Sequence, residues 1–364
     1  MVVRSKKRRL IRNILIILSF CLSLIMLFFF RRLTRDILDG NDVSRPHFTD
    51  QKQTSLPDVY DKRLPVRQLI GTKMEDVFRD RKEKLQTACK ALNRGKYPLP
   101  LLSKNAYSHI LVNEKYKVLY CYIPKVACTN IMRMFLILDG IVNTSNPLEI
   151  PGEDVHVTLK ASLKFLNNYM PSEVKTRLET YRKIIFVREP MERLLSAYLN
   201  KFTENEIEFY EKYGRKIIKH YRASPSEESI RKGHDVTFEE FLRYITDNSV
   251  WGYNHEHWLQ YETLCRPCHV EYDVIGKMES MDEDMDYLVK YLGASNKVNF
   301  PRRSDIMRKE KTQDKLLKYY KDIPKNLFER VIKKFYGDFV LFDYNIPYSI
   351  DSLLNTSLSV NSSM

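Results

Sequence analysis

The chain has 364 residues, 43% of them apolar, with 60 Lys and Arg against 46 Asp and Glu and a net charge of +14. Nine of the basic residues and none of the acidic ones precede residue 36, which leaves only +5 on the remainder and removes the main support for a nucleic-acid-binding protein. No internal repeat or low-complexity segment is present.

In chain order, the first element is an apolar run at residues 14–30, preceded by Arg4, Lys6, Lys7, Arg8, Arg9 and Arg12 and followed by Arg31, Arg32 and Arg35. The heavier positive charge keeps the N-terminal side cytoplasmic, and Phe28-Phe29-Phe30-Arg31-Arg32 offers no small-residue cleavage site. The expectation is a type II membrane protein with a cytoplasmic tail at 1–12, a transmembrane signal anchor at 13–30 and a luminal stem at 31–104. A catalytic domain at 105–347 and a flexible tail at 348–364 follow. The stem carries Pro46, Pro57 and Pro65, then a helical pattern with Phe78, Leu85, Cys89 and Leu92 roughly on one side. Glycosylation sequons at Asn143, Asn355 and Asn361 agree with a luminal location.

Two strand-to-helix junctions come next. A β-rich run at 118–123 leads into Pro124-Lys125-Val126-Ala127-Cys128-Thr129-Asn130, and a second at 184–187 leads into Arg188 and the helical pattern holding Pro190, Arg193 and Ser196. First-turn helix amides lack intrahelical acceptors and face outward with partial positive charge, so each junction suits an oxyanion. Lys125 adds a point charge and Thr129 a hydroxyl, while small Ala127 and Cys128 let the backbone approach a ligand. This is P-loop physics without the P-loop glycines. At the second junction an arginine fork and the Ser196 hydroxyl can share one phosphate, with Arg193 joining or flanking them. Either junction alone is weak evidence; the two in order suggest a nucleotide phosphorylated at both ends.

Further along, Arg215, Lys216, Lys219, His220 and Arg222 form the densest basic stretch, interleaved with Tyr210, Tyr213 and Tyr221 at helical spacing. Lys216 and Lys219 are candidates for contact with a polyanionic glycan, as is Lys201 after the second junction. Cys265-Arg-Pro-Cys268 is a lone CxxC, so a disulfide is favoured over zinc and no metal is expected. Spacing leaves open whether Cys265 joins Cys268 or one of them joins Cys89; Cys128 reads as a free thiol. Residues 270–275 read as a strand, and 280–292 and 325–336 as helices. The predicted fold class is α/β, with a mainly parallel central sheet flanked by helices.

The stretches YCYIPKVACTN (120–130), FVREPMERLLSAYLNKF (186–202), NHEHWLQYETLCRPCHVEYDVIGKMES (254–280) and FYGDFVLFDYNIP (335–347) carry a family resemblance. Across roughly 105–347 the chain resembles the Golgi carbohydrate sulfotransferases of the chondroitin and dermatan 4-O-sulfotransferase group, which includes the natural-killer-epitope sulfotransferase. The segments around His156 and Tyr213 look most like the chondroitin 4-O enzymes. One departure is Ile131-Met132-Arg133, where the family usually has Trp-Lys-Arg.

The resemblance implies a P-loop-like sulfotransferase fold, Golgi localisation, and transfer of sulfuryl from 3′-phosphoadenosine-5′-phosphosulfate (PAPS) to a sugar hydroxyl. The implied acceptor is the 4-hydroxyl of N-acetylgalactosamine in chondroitin, or in dermatan. By similarity, residues 124–130 hold the 5′-phosphosulfate and Arg188 and Ser196 the 3′-phosphate. Lys125 is the expected stabiliser of the departing phosphate and His156 the expected base, because it lies between the two nucleotide loops, where distantly related sulfotransferases place theirs. His255 and His257 are the alternatives, and Glu153 and Asp154 candidate orienters. Rival readings are transfer to another hydroxyl, such as the 3-position of a terminal glucuronate or the N-acetylgalactosamine of N-glycans; a P-loop kinase-like phosphotransferase; and a non-catalytic membrane-anchored glycan-binding protein.

Overall fold

Five short strands form one sheet, Ile110–Asn113 (β1), Val118–Cys121 (β2), Lys164–Phe165 (β3), Arg182–Val187 (β4) and Val274–Lys277 (β5), in the order β3-β1-β2-β4-β5. The computed structural model describes residues 74–94, 104–247, 249, 255–306 and 312–353, all within the unit Leu69–Met364. The expected anchor at 13–30, the prolines of the stem and the sequons at Asn355 and Asn361 lie outside the described residues. Among the described residues no helix is long and apolar enough to cross a membrane. Asn143 is exposed.

The sheet is mixed rather than mainly parallel. β2 pairs with β4 and β4 with β5 in parallel, whereas β1 runs antiparallel to both β2 and β3. The reason is local: only residues 114–117 separate β1 from β2, too few for a crossover, so the pair must be a hairpin. Its turn lacks an Asn-Gly signal. Asn113 accepts the Tyr116 amide at 2.8 Å instead, and Lys117 takes φ 50°. The third predicted strand starts later than expected, at Val274, where pairing with Ile184 of β4 begins.

The helices that matter for the site are Met74–Ala91 (α1), Cys128–Asp139 (α2), Pro190–Phe202 (α3), Arg215–Tyr221 (α4), Tyr261–Cys265 (α5) and Lys325–Leu341 (α6). The helix expected at 280–292 is Met281–Tyr291, and α6 runs on past Tyr336. α1, which the helical pattern of the stem anticipated, is tied to the sheet. Phe78, Leu85, Ala88 and Cys89 are buried, and Arg81 donates to the carbonyl of Ile275 at 2.9 Å and to Asp284 at 2.7 Å. One apolar cluster is built on the sheet, α1 and α2; a second gathers α3 and α6 around the buried Trp258.

This topology positions the site. β2 and β4 are parallel neighbours with Cys121 opposite Ile185, so both junctions leave the same edge of the sheet. Crevices beyond the carboxyl ends of parallel strands are where such sheets bind ligands.

Candidate active site

Between β2 and α2 the chain turns through two left-handed residues, Lys125 at φ 73° and Ala127 at φ 50°. Non-glycine residues rarely adopt that region, and such strain concentrates at ligand-holding turns. Val126 between them is fully buried and anchors the turn. Ala127 is the N-cap of α2 and no side chain caps that helix, which leaves its first turn open to an anion. The Lys125 ammonium donates to Asn200 Oδ1 at 2.9 Å.

Between β4 and α3, Glu189 caps the helix by accepting the Glu192 amide at 2.7 Å, and Pro190 opens it. Arg188 is buried to 7% exposure. Its Nη2 and Nε donate to Glu192 Oε2 at 3.1 and 3.3 Å, and its Nη1 reaches the carbonyl of Lys125 at 3.4 Å, so this side chain bridges the two junctions. The Tyr261 hydroxyl accepts from the Arg188 amide and donates to its carbonyl. Burial, with Glu192 adjacent, pushes Glu189 up to about 8, and burial also raises Glu192. Glu192, Ser196 and Asn200 recur every fourth residue along α3, and Ser196 and Asn200 face the same cavity as Arg188.

That cavity is a cleft of about 650 Å³. Among the described residues, Lys125, Arg133, Lys160, Arg188, Lys201 and Arg303 line it against two carboxylates, Glu206 and Glu256. His156 ends the short helix Gly152–His156 at the rim, its Nε2 2.9 Å from Thr129 Oγ1. Burial against the cleft wall and then the Lys160 ammonium lower its pKa below the ordinary imidazole value. His257 also lines the cleft, but its Nδ1 lies 3.0 Å from that of His255, and burial followed by Lys201 pushes its basicity far down. Glu256 accepts the Tyr122 hydroxyl at 3.0 Å.

A family model described as the sulfotransferase family matches residues 108–345, the span that carries both junctions, His156 and the whole cleft. The chain belongs to that family. Carbohydrate sulfotransferase 11 of Rattus norvegicus is 37% identical over 270 residues, covering 73% of this chain and 76% of the relative. Carbohydrate sulfotransferase 14 of Danio rerio is 41% identical over 251 residues, covering 68% and 65%. Carbohydrate sulfotransferase 9 of Homo sapiens is 33% identical over 278 residues, covering 76% and 62%. No solved structure matches. The protein is an enzyme, a carbohydrate sulfotransferase.

Within this sulfotransferase, Pro124, Lys125, Ala127, Cys128, Thr129, Asn130, Arg188, Ser196, His156, Lys201 and His257 all line the one cleft. Others that the sequence suggested do not. Arg193 is 1% exposed and spends its guanidinium on the carbonyls of Pro124, Leu259 and Glu256 at 3.1, 2.7 and 3.0 Å, while lying over the Tyr261 ring. It is a strut joining α3, the loop between β2 and α2, and the 256–259 segment. Val126 is core. Lys216 and Lys219 are exposed on α4 and are not among the residues lining the cleft. Glu153 and Asp154 are not seen to orient His156; the Asp154 carboxylate accepts from Thr158, and the contact to the imidazole comes from Thr129.

The cysteine pairing also differs from expectation. Cys89 joins Cys268, one of the open possibilities, but Cys265 joins Cys121 at the end of β2, and Cys128 is free. Cys121 read as one apolar strand residue among several; only the fold brings α5 over it. The CxxC thus serves two disulfides and no zinc. Among the described residues no group of three metal-ligating side chains occurs. Closing separations of 144 and 179 residues is worth about 5 kcal/mol each in the chain-entropy model.

Asn200, Lys160, Glu256 and Arg303 are cleft residues that the sequence did not single out. Asn200 follows Ser196 by four, Lys160 follows His156 by four, and Glu256 lies between two histidines already noted. Those spacings were available signals; Arg303 had none.

Proposed function

We propose that this enzyme transfers sulfuryl from PAPS to the 4-hydroxyl of N-acetylgalactosamine in chondroitin, with dermatan as a further acceptor, from the luminal face of the Golgi membrane to which residues 13–30 anchor it. The observation that carries the reading is the convergence of Lys125, Arg188, Ser196 and His156 on one cleft, with the base tied to the donor loop through the 2.9 Å Thr129 contact. The residues fit a donor phosphorylated at both ends. An uncapped helix start and a lysine suit the 5′-phosphosulfate, and a buried arginine with a hydroxyl two turns on suits the 3′-phosphate.

In the proposed step His156 takes the proton of the acceptor hydroxyl as its oxygen forms a bond to sulfur, and the bond between sulfur and the 5′-phosphate oxygen breaks. Lys125 and the first-turn amides of α2 hold the charge that develops on that oxygen. Thr129 fixes the imidazole against the same loop, so base and leaving-group stabiliser are positioned by one turn of chain. Arg188, braced by Glu192 and the Lys125 carbonyl, orients the nucleotide from its other end.

The test is transfer of labelled sulfate from PAPS to desulfated chondroitin by the full-length enzyme, followed by disaccharide analysis. Label at the 4-position of N-acetylgalactosamine supports the reading. Label at another position, or on other glycans alone, overturns the acceptor assignment. No transfer to any glycan from folded protein restores the non-catalytic reading.

A further inference from the structure

Of the six cationic side chains that line the cleft among the described residues, Lys125, Arg133, Arg188, Lys201 and Arg303 each donate to a protein oxygen. Lys160 differs. It is exposed at the rim, and among the described residues its ammonium has no hydrogen bond or ion pair. A free lysine on an open surface would mean little, but this one lies in the reaction cleft four residues after the proposed base. The intervening turn is fixed by the Leu159 amide donating to the carbonyl of Asp154 at 2.7 Å.

We propose that the Lys160 ammonium receives the carboxylate of the uronate adjacent to the acceptor N-acetylgalactosamine, an assignment that rests on the chondroitin reading above. In an alternating polymer of uronate and N-acetylgalactosamine, every reacting hydroxyl has a carboxylate one sugar away. An anion arriving at the rim meets an ammonium that has no internal partner to surrender, so binding costs no broken ion pair. The two carboxylates of the cleft are already engaged, Glu206 with Lys201 at 3.1 Å and Glu256 with the Tyr122 hydroxyl at 3.0 Å.

Docking of that carboxylate has a second consequence. The charges that act on His156 are Lys160, Lys201 and Arg133, which depress its basicity after burial has done so, and Glu256, which raises it. A carboxylate bound to Lys160 screens the first of these. The base is therefore strongest when a uronate-bearing acceptor is in place, and recognition is coupled to chemistry.

The experiment compares wild-type full-length enzyme with Lys160→Gln on two polymers, desulfated chondroitin and the same polymer with its carboxylates reduced to hydroxymethyl groups. Lys160→Gln should raise KM for desulfated chondroitin about tenfold, the effect of losing one charge-assisted contact. Carboxyl reduction should raise the wild-type KM by a similar factor, and the two changes together should cost no more than either alone. The affinity for adenosine 3′,5′-bisphosphate should stay at the wild-type value, and Lys160→Arg should recover most of the loss. An unchanged KM, equal fold-losses on both polymers, or a parallel loss of bisphosphate affinity would overturn the Lys160 assignment alone. Wild-type enzyme that transfers to neither polymer would remove the chondroitin reading, and this one with it.

Discussion

The two walls of the cleft that the proposed function assigns to donor and acceptor are built by different means. The donor wall repeats one local device, a strand of the parallel half of the sheet that runs straight into a helix start. Lys125 follows β2 and Arg188 follows β4 within a few residues, and strand pairing places them side by side. The acceptor wall has no such unit. His156 ends a five-residue helix, Glu256 and His257 precede α5, and Lys201 sits in the last turn of α3. What is conferred on the donor wall by backbone hydrogen bonding is conferred on the acceptor wall by side-chain struts and a disulfide. Arg193 pins the carbonyls of Glu256 and Leu259 to that of Pro124, and Cys121–Cys265 ties the end of β2 to α5.

The sharpest break in the comparison comes from one substitution in each wall. Lys125→Ala should lower kcat about 10²- to 10³-fold, the loss seen when a preorganised charge stabiliser is removed. His156→Ala should lower kcat about 10²-fold or more while adenosine 3′,5′-bisphosphate binds with wild-type affinity. Full turnover in the second variant would move the base assignment to His257 or Glu256. The next effect separates two arginines five residues apart. Arg188→Ala should weaken bisphosphate binding and, by stranding the buried Glu192 carboxyl, also lower the unfolding midpoint. Arg193→Ala strands three carbonyls and should cost about 3 kcal/mol in denaturant unfolding. A stable Arg193→Ala that loses only nucleotide would return Arg193 to the binding site.

The contrast between the walls also explains what could be read from the sequence. Lys125 and Arg188 were legible because a helix start is a local event: a β-rich run, a break and an amphipathic pattern announce it. The antiparallel β1 was not, since a four-residue buried strand closed by an Asn113 turn leaves no periodicity to count. Arg193 could be read only as joining or flanking the phosphate, for the opposite reason. In sequence it sits in a junction read as phosphate-binding, and only the packing of α3 turns its guanidinium away from the cleft towards three carbonyls. Lys216 and Lys219 drew attention by density of charge, which says nothing about direction; α4 keeps them off the cleft lining, and beyond Lys125 and Arg188 the positive charge that lines it comes singly from scattered residues, Arg133, Lys160, Lys201 and Arg303. Replacing Lys216 and Lys219 together by Ala should change KM for desulfated chondroitin by less than about twofold, within the range of a surface charge far from a bound ligand.

The finest distinction is a displacement along the pH axis. His156 accepts a proton only when neutral, and burial followed by Lys160 holds its pKa below the usual value of about 6.5. Activity should therefore persist as the pH falls past that value and be lost only as the pH drops through the lowered pKa. Lys160 depresses that pKa, so Lys160→Gln must raise it and move the acidic limb of kcat/KM to higher pH. Glu256 acts in the other direction, so Glu256→Gln must move the limb to lower pH. Opposite displacements in the two variants are what a base flanked by one ammonium and one carboxylate requires. If both limbs move the same way, or if the limb survives unchanged in the residual activity of His156→Ala, the titrating group belongs elsewhere in the acceptor wall.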